Sequence, residues 1–227
     1  MRKLWIFGDS YSEPFSKLNG MEWKSQYINW KGYMPKYYGD FLTEEFKLFH
    51  INNAIGGADN YTIFEKIISF LDKINSKDII IIGWSHTLRF RIVNNVGGFN
   101  TIRPSSLDDV FELNRKAPYM DLSDNTIKEI VINRNSNLYI NEVNNFIKIL
   151  NFSFKKNTII HWSPFRQDLN GMLTTIPSIL NLEMISDETN GVVKDSHFSE
   201  NAHKKLAERF SDVIINYESF KIKKSFI

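Results

Sequence analysis

Four short apolar runs punctuate the chain, and each ends on a polar or glycine turn. Leu4 to Phe7 is wholly apolar and stops at Gly8-Asp9-Ser10, the pattern of a buried strand feeding a tight turn. Phe46 to Ile51 predicts a second strand, closing at Asn52-Asn53 and the pair Gly56-Gly57. Ile79 to Ile82 is an unbroken β-branched run between Asp78 and Gly83, and Thr158 to Trp162 is a fourth strand, stopped by Pro164. Between the strands the period changes. Ile63, Ile67, Phe70, Leu71 and Ile74 share one face of a helix predicted over Tyr61 to Ile74. Another helix is predicted from a cap at Ser123 towards Leu150, with Ile127, Ile130, Val131, Val143, Phe146 and Leu150 as its apolar positions. A last helix begins at Glu200 and carries Leu206, Ala207, Phe210 and Ile214. Strands alternating with helices predict an α/β fold, a three-layer αβα sandwich around a mostly parallel, flavodoxin-like sheet.

Two stretches carry no clean period. Gly20 to Gly39 is crowded with Trp23, Tyr27, Trp30, Tyr33, Tyr37 and Tyr38, aromatics that suit either a core or a stacking surface. Asn94 to Asp124 contains Gly97-Gly98, Pro104 and Pro118, and a segment of that length inside a compact domain is expected to be a lid or an interface.

The chain of 227 residues, 42% of them hydrophobic, suits one domain over 1–227 with a substantial core. Basic and acidic residues number 28 and 26, so the net charge of +2 argues against a nucleic-acid partner. The run Lys221-Ile222-Lys223-Lys224 is expected to be a solvated end. The absence of cysteine excludes disulfides, thiolate metal sites and cysteine nucleophiles. The first apolar run is too short for a signal peptide, and no segment approaches the roughly 20 apolar residues of a membrane span. A soluble, cytoplasmic protein is expected. Metal-ligand spacings, phosphate loops and dinucleotide fingerprints do not occur, so no metal and no cofactor are expected.

The chemistry concentrates near the two ends. Ser10 follows a buried strand, which places it at the carboxyl edge of the sheet, where α/β folds bind their ligands. A plain helix cap is the alternative. Near the other end, Asp195-Ser196-His197 precedes the last helix. A serine nucleophile needs a base to take its proton, and the base needs a carboxylate to fix its tautomer. Singly, Asp195 reads as a turn residue and His197 as a surface imidazole; both in one loop, with Ser10, point to a triad. Of the other histidines, His161 falls in a predicted core strand, His203 is expected to cap or pack, and His50 carries no further signal.

Gly8-Asp9-Ser10-Tyr11-Ser12 together with Asp195-x-His197 resembles the SGNH (GDSL-type) hydrolase superfamily. Asn52-Asn53-Ala54-Ile55-Gly56-Gly57-Ala58 resembles that family's second block. The resemblance implies an ester hydrolase with Ser10, His197 and Asp195 as its triad and no cofactor. It implies an oxyanion hole from the backbone N–H groups of Ser10 and Gly57 and the side chain at position 85. There the chain departs from the family: Gly83-Trp84-Ser85-His86 stands where Gly-x-Asn-Asp is expected, so Ser85 replaces an Asn donor. Loss of one such donor costs on the order of 10²–10³ in turnover. The commonest family spacing, Asp-x-x-His, is also shortened to Asp-x-His. Asp9, Asn60, Trp84, His86 and Arg89 are candidates for binding a small-molecule or glycan ester, with Asp59 or Glu65 as alternative partners for Arg89. Small acyl groups on carbohydrates and lipid esters are the substrate classes considered. A non-catalytic binding module and an acyltransferase using the same residues are the alternatives; neither the acyl group nor the oligomeric state is legible.

Overall fold

The computed structural model describes residues 2–17, 21–87, 89–93, 99–102, 125–126, 129, 136–178 and 181–217. Its centre is a four-stranded parallel sheet of β1 (Lys3–Phe7), β2 (Phe49–Asn52), β3 (Ile79–Gly83) and β6 (Thr158–Trp162), in the order β2-β1-β3-β6. Leu4 pairs with Ile79 and Ile79 with Thr158, so β1, β3 and β6 are in step. The order is that of a flavodoxin-like sheet, with a switch point between β1 and β3.

Alternation along the strands divides the core between two faces. Leu4, Ile6, Ile79, Ile81, Ile160 and Trp162 pack towards one side. Their cover is α1 (Glu22–Lys31), α2 (Tyr38–Phe46) and α6 (Glu200–Ile215), through Tyr27, Leu42, Leu206 and Phe210. Trp5, Phe7, Ile80, Ile82 and Ile159 face the other side. They meet α3 (Asn60–Ile68) and α4 (Ser136–Ser153) through Ile63, Ile67, Val143 and Leu150. The fold is therefore α/β in three layers, as the runs predict. Among the described residues no helix is long and apolar enough to cross a membrane.

Several boundaries differ from the sequence expectation. Phe46 is the last residue of α2, and β2 starts only at Phe49, because Lys47 takes a left-handed conformation (φ 51°) that ends the helix. The helix predicted over Tyr61 to Ile74 is regular only to Ile68 and continues as turns, with Ile74 N–H bonded to Phe70 O at 3.2 Å. Aromatic-rich Gly20 to Gly39 supplies all of α1 and the first two residues of α2. β4 (Phe90–Val93) immediately precedes the segment expected as a lid or interface, and β5 (Phe99–Ile102), within it, pairs antiparallel with β4. The rest of 94–124, the cap at Ser123 and the tail at Lys221 to Lys224 lie outside the described residues.

Candidate active site

All four sheet strands run in the same direction, so the loops that follow them gather at one edge. β1 ends in a turn that only glycine fits well: Gly8 has φ 154°, and a Cβ there would lie 2.4 Å from Ser12 Oγ and 2.9 Å from Gly83 O. The turn is closed by Ser12 N–H to Asp9 O at 3.0 Å and by Tyr11 N–H to Asp9 Oδ1 at 3.1 Å. Ser10 stands at its tip, half-buried. The loop after β2 is fastened to it by Ile55 N–H to Gly8 O at 2.9 Å. Asn52 adds its side chain, donating to Ser12 O at 2.7 Å and to the Tyr37 hydroxyl at 3.1 Å. Gly57, in the same loop, adopts φ 82°, which its lack of a Cβ allows.

The third contribution comes from the far end of the chain. Residues 184–198 fold back on themselves through the short helix α5 (Ile185–Glu188) and the bonds Ile185 N–H to His197 O, 2.8 Å, and Ser186 N–H to Asp195 O, 3.0 Å. Asp195 Oδ1 accepts from both the backbone N–H of His197, at 2.7 Å, and its ring Nδ1, at 2.5 Å. The two-residue spacing makes this double acceptance local. With the proton on Nδ1, the opposite nitrogen Nε2 is an acceptor, and it lies 2.7 Å from Ser10 Oγ. Ser10, His197 and Asp195 thus form one continuous hydrogen-bond chain across 187 positions. No protein-family model matches the chain, and no curated protein matches it by sequence.

Aromatic rings line this chain of bonds. Trp23 lies flat against the His197 ring, with centroids 4.5 Å apart and planes at 11°. Tyr11 approaches the same ring at 4.8 Å and meets Phe165 edge-on at 5.6 Å. Phe165 in turn meets His86 at 5.1 Å, so His86 lies at the end of an aromatic wall that begins beside the dyad. Burial, and then the nearby Arg89 cation, push the His86 imidazole below its ordinary pKa. The Tyr11 phenol is pushed up, mainly by burial and then by the Asp9 carboxylate, and its hydroxyl donates to Ser196 O at 3.2 Å.

Other expected site residues are placed elsewhere. Trp84 is fully buried in the core and donates from Nε1 to His161 Nδ1 at 3.2 Å, so it faces the interior rather than a substrate. His161 is the satisfied core histidine expected, with Nε2 3.2 Å from Asn151 Oδ1. Asp9 is fully buried and bound by Arg89 at 3.1 Å; Arg89 also donates to Ala58 O at 3.0 Å. That pairing fastens the β1 turn to the Gly57 loop and gives Arg89 a nearby carboxylate partner, the alternative to a substrate contact, in Asp9; Glu65 pairs with Arg91. Asn60 donates to Ser85 O at 3.0 Å and lines, with Asp59, Thr87, Arg89 and Tyr139, a cavity of about 220 Å³ to which neither Ser10 nor His197 contributes. Ser85 itself is fully buried, and its Oγ has no hydrogen-bond partner among the described residues. The hydroxyl is sealed beneath the surface, so the open third donor expected at position 85 is not formed here.

The sequence marks Trp23 only as one of a crowd of aromatics and gives Tyr11, Phe165 and the Asn52 side chain no individual role. Tyr11 had a signal in its place beside Ser10, and Asn52 in the Asn-rich turn. Phe165 had none. Among the described residues, no group of three or more His, Asp or Glu side chains is placed to hold a metal.

Proposed function

We propose that this chain is a serine-dependent hydrolase of carboxylic esters. The observation that carries the reading is the Asp195–His197–Ser10 hydrogen-bond chain, with distances of 2.5 and 2.7 Å. In the first half-reaction Ser10 Oγ attacks the ester carbonyl carbon while its proton passes to His197 Nε2. The resulting imidazolium is held by Asp195 at Nδ1. The tetrahedral oxyanion is stabilised by the backbone N–H groups of Ser10 and Gly57. Collapse expels the alcohol, which takes the proton from Nε2 and leaves an acyl-serine. Water, deprotonated by the same nitrogen, then releases the acid.

The walls bear on substrate class. Trp23, Tyr11 and Phe165 offer aromatic surface, and Arg89, the cation expected to meet an acidic group, is engaged with Asp9. A neutral acyl group suits such a cleft better than an anionic one. Short acyl groups on a carbohydrate or a lipid alcohol are consistent with it.

The sealed Ser85 hydroxyl favours a second reading, a binding module that keeps the fold without turnover. One experiment separates the two. The folded wild type is treated with a fluorophosphonate probe beside Ser10→Ala and His197→Ala. Labelling of the wild type alone is expected. A folded wild type inert to the probe and to p-nitrophenyl acetate would sink the hydrolase reading and leave the binding module.

A further inference from the structure

Helix α1 presents an unusual inner face. Lys24 and Tyr27 are buried, and Trp23, Ile28 and Lys31 are half-buried, so the side turned to the protein alternates cations with rings. Its place is set by polar contacts to the segment that carries the dyad. Lys31 Nζ lies 2.6 Å from Glu188 and 3.4 Å from Glu200. The Tyr27 hydroxyl donates to Glu188 and accepts from the backbone N–H of Glu200 at 3.0 Å. Glu188 and Glu200 flank Asp195 and His197, so α1 and the dyad loop are fastened as one piece. Trp23, in the first turn of α1, is the ring this arrangement lays against His197.

We infer that Trp23 is a positioning residue for the His197 base. The inference rests on the reading of His197 as the proton carrier. Two physical consequences of the 4.5 Å, 11° stack support it. First, the imidazole plane must stay fixed for Nδ1 to face Asp195 and Nε2 to face Ser10 together. A flat indole against one face resists the tilting that would break either bond. Second, the π face of an indole attracts a cation, so the stack favours the imidazolium that forms when Ser10 gives up its proton. The other charged and titratable groups around the ring are Asp195 in its own loop, Tyr11 in the β1 turn, Lys24 on α1 and His203 on α6. Lys24 Nζ lies 5.1 Å from the same indole and is paired with Glu13 at 3.5 Å. Tyr11 and His203 are neutral near pH 7, the former held up and the latter held down by burial.

The test uses the full chain with Trp23→Leu and Trp23→Phe, and two readouts. One is kcat and KM for p-nitrophenyl acetate across the neutral pH range. The other is the NMR titration of the His197 ring, which needs no turnover. Trp23→Leu is expected to lower kcat about 3- to 30-fold with KM little changed. It should also move the ring's titration midpoint, and the acid limb of kcat with it, about half a unit to one unit towards acid. Trp23→Phe, with a weaker π face, should recover most of both effects. A midpoint and kcat unchanged in Trp23→Leu, or a change confined to KM, overturns the inference. If Trp23→Leu does not fold, Trp23→Met takes its place with the same expected acid shift, and the absence of that shift overturns the inference equally. A folded protein inert to esters would refute the hydrolase reading and with it the role of Trp23 towards a base, even if the midpoint still moves in Trp23→Leu. An active enzyme with an unmoved midpoint overturns the Trp23 inference alone.

Discussion

Ser85 marks where this site parts from an oxyanion hole with three open donors. Its hydroxyl is buried and unpartnered, with its backbone carbonyl bound by Asn60 at 3.0 Å. An open donor at this position contributes on the order of 10²–10³ in turnover; a sealed one contributes little. Ser85→Ala is therefore expected to lower kcat less than about tenfold while leaving the denaturation midpoint unchanged or slightly raised, since an orphaned hydroxyl is removed from the interior. A loss of 10² or more, read from steady-state kinetics, would show that the hydroxyl turns into the cleft during the reaction. Local geometry of this kind is only partly legible in sequence. The Asp195-x-His197 spacing announces its own bond, because one carboxylate oxygen reaches both the backbone N–H and the ring of the residue two positions on. The partner of Arg89 is not announced. Asp9 lies 80 positions away, and only the sheet brings the two together. Because Asp9 is fully buried, removing its cation leaves an uncompensated carboxylate. Arg89→Met should cost on the order of 3–5 kcal/mol in equilibrium unfolding, and a cost under 1 kcal/mol would contradict the buried pair.

At the scale of elements, legibility follows from which side chains do the burying. β1, β3 and β6 bury aliphatic and aromatic side chains on both faces, so their apolar runs mark them within a residue or two. Helix α1 escapes the same reading. Its inner positions Lys24, Tyr27, Ile28 and Lys31 do follow helical spacing, but two of them are lysines, and the apolar stripe that betrays an amphipathic helix is broken. Asp78 shows how a single polar residue can set the register of the strands. It is buried at the end of the sheet opposite the site and accepts from Lys3 N–H at 2.9 Å, Trp5 Nε1 at 2.9 Å and Asn75 N–H at 3.0 Å. β1 is thereby pinned to β3 before the first ladder bond. Truncating the carboxylate strands three donors, two of them on β1. Asp78→Ala is expected to lower unfolding free energy by about 2–4 kcal/mol, measured by urea denaturation, without changing the residual activity of the folded fraction.

The molecule as a whole is joined at its site by residues from both ends of the chain, and the joint runs through buried histidine. His203 on α6 is sealed among Phe15, Tyr37, Tyr38 and Phe198, with Nδ1 unpartnered among the described residues. Burial, and then the charges of His197 and Lys24, hold its pKa down to about 3. His50 and His86 are held below the ordinary value as well, both chiefly by burial. The sign follows from proton binding. Below about pH 6.5 the unfolded chain protonates these imidazoles while the folded chain does not, so each proton taken up favours unfolding. For His203 the loss begins near the unfolded value and continues until the pH reaches about 3. Stability should therefore fall steadily between pH 7 and pH 4. The Glu200 carboxylate, pushed up by burial but held down on balance by bonds from Lys36 and Tyr33 and by the Lys31 charge, adds a loss of the same sign only below its unfolded value, near pH 4.5. The two causes separate by pH window and by variant. His203→Phe keeps a ring within the aromatic cluster and removes the titrating group. Urea denaturation at a series of pH values should show a shallower decline from pH 6.5 down to about 3 in this variant, with the added Glu200 loss below pH 4.5 retained. An identical pH dependence in the two proteins would remove His203 as a source of the acid sensitivity and sever that sensitivity from the aromatic packing of the last helix against the site.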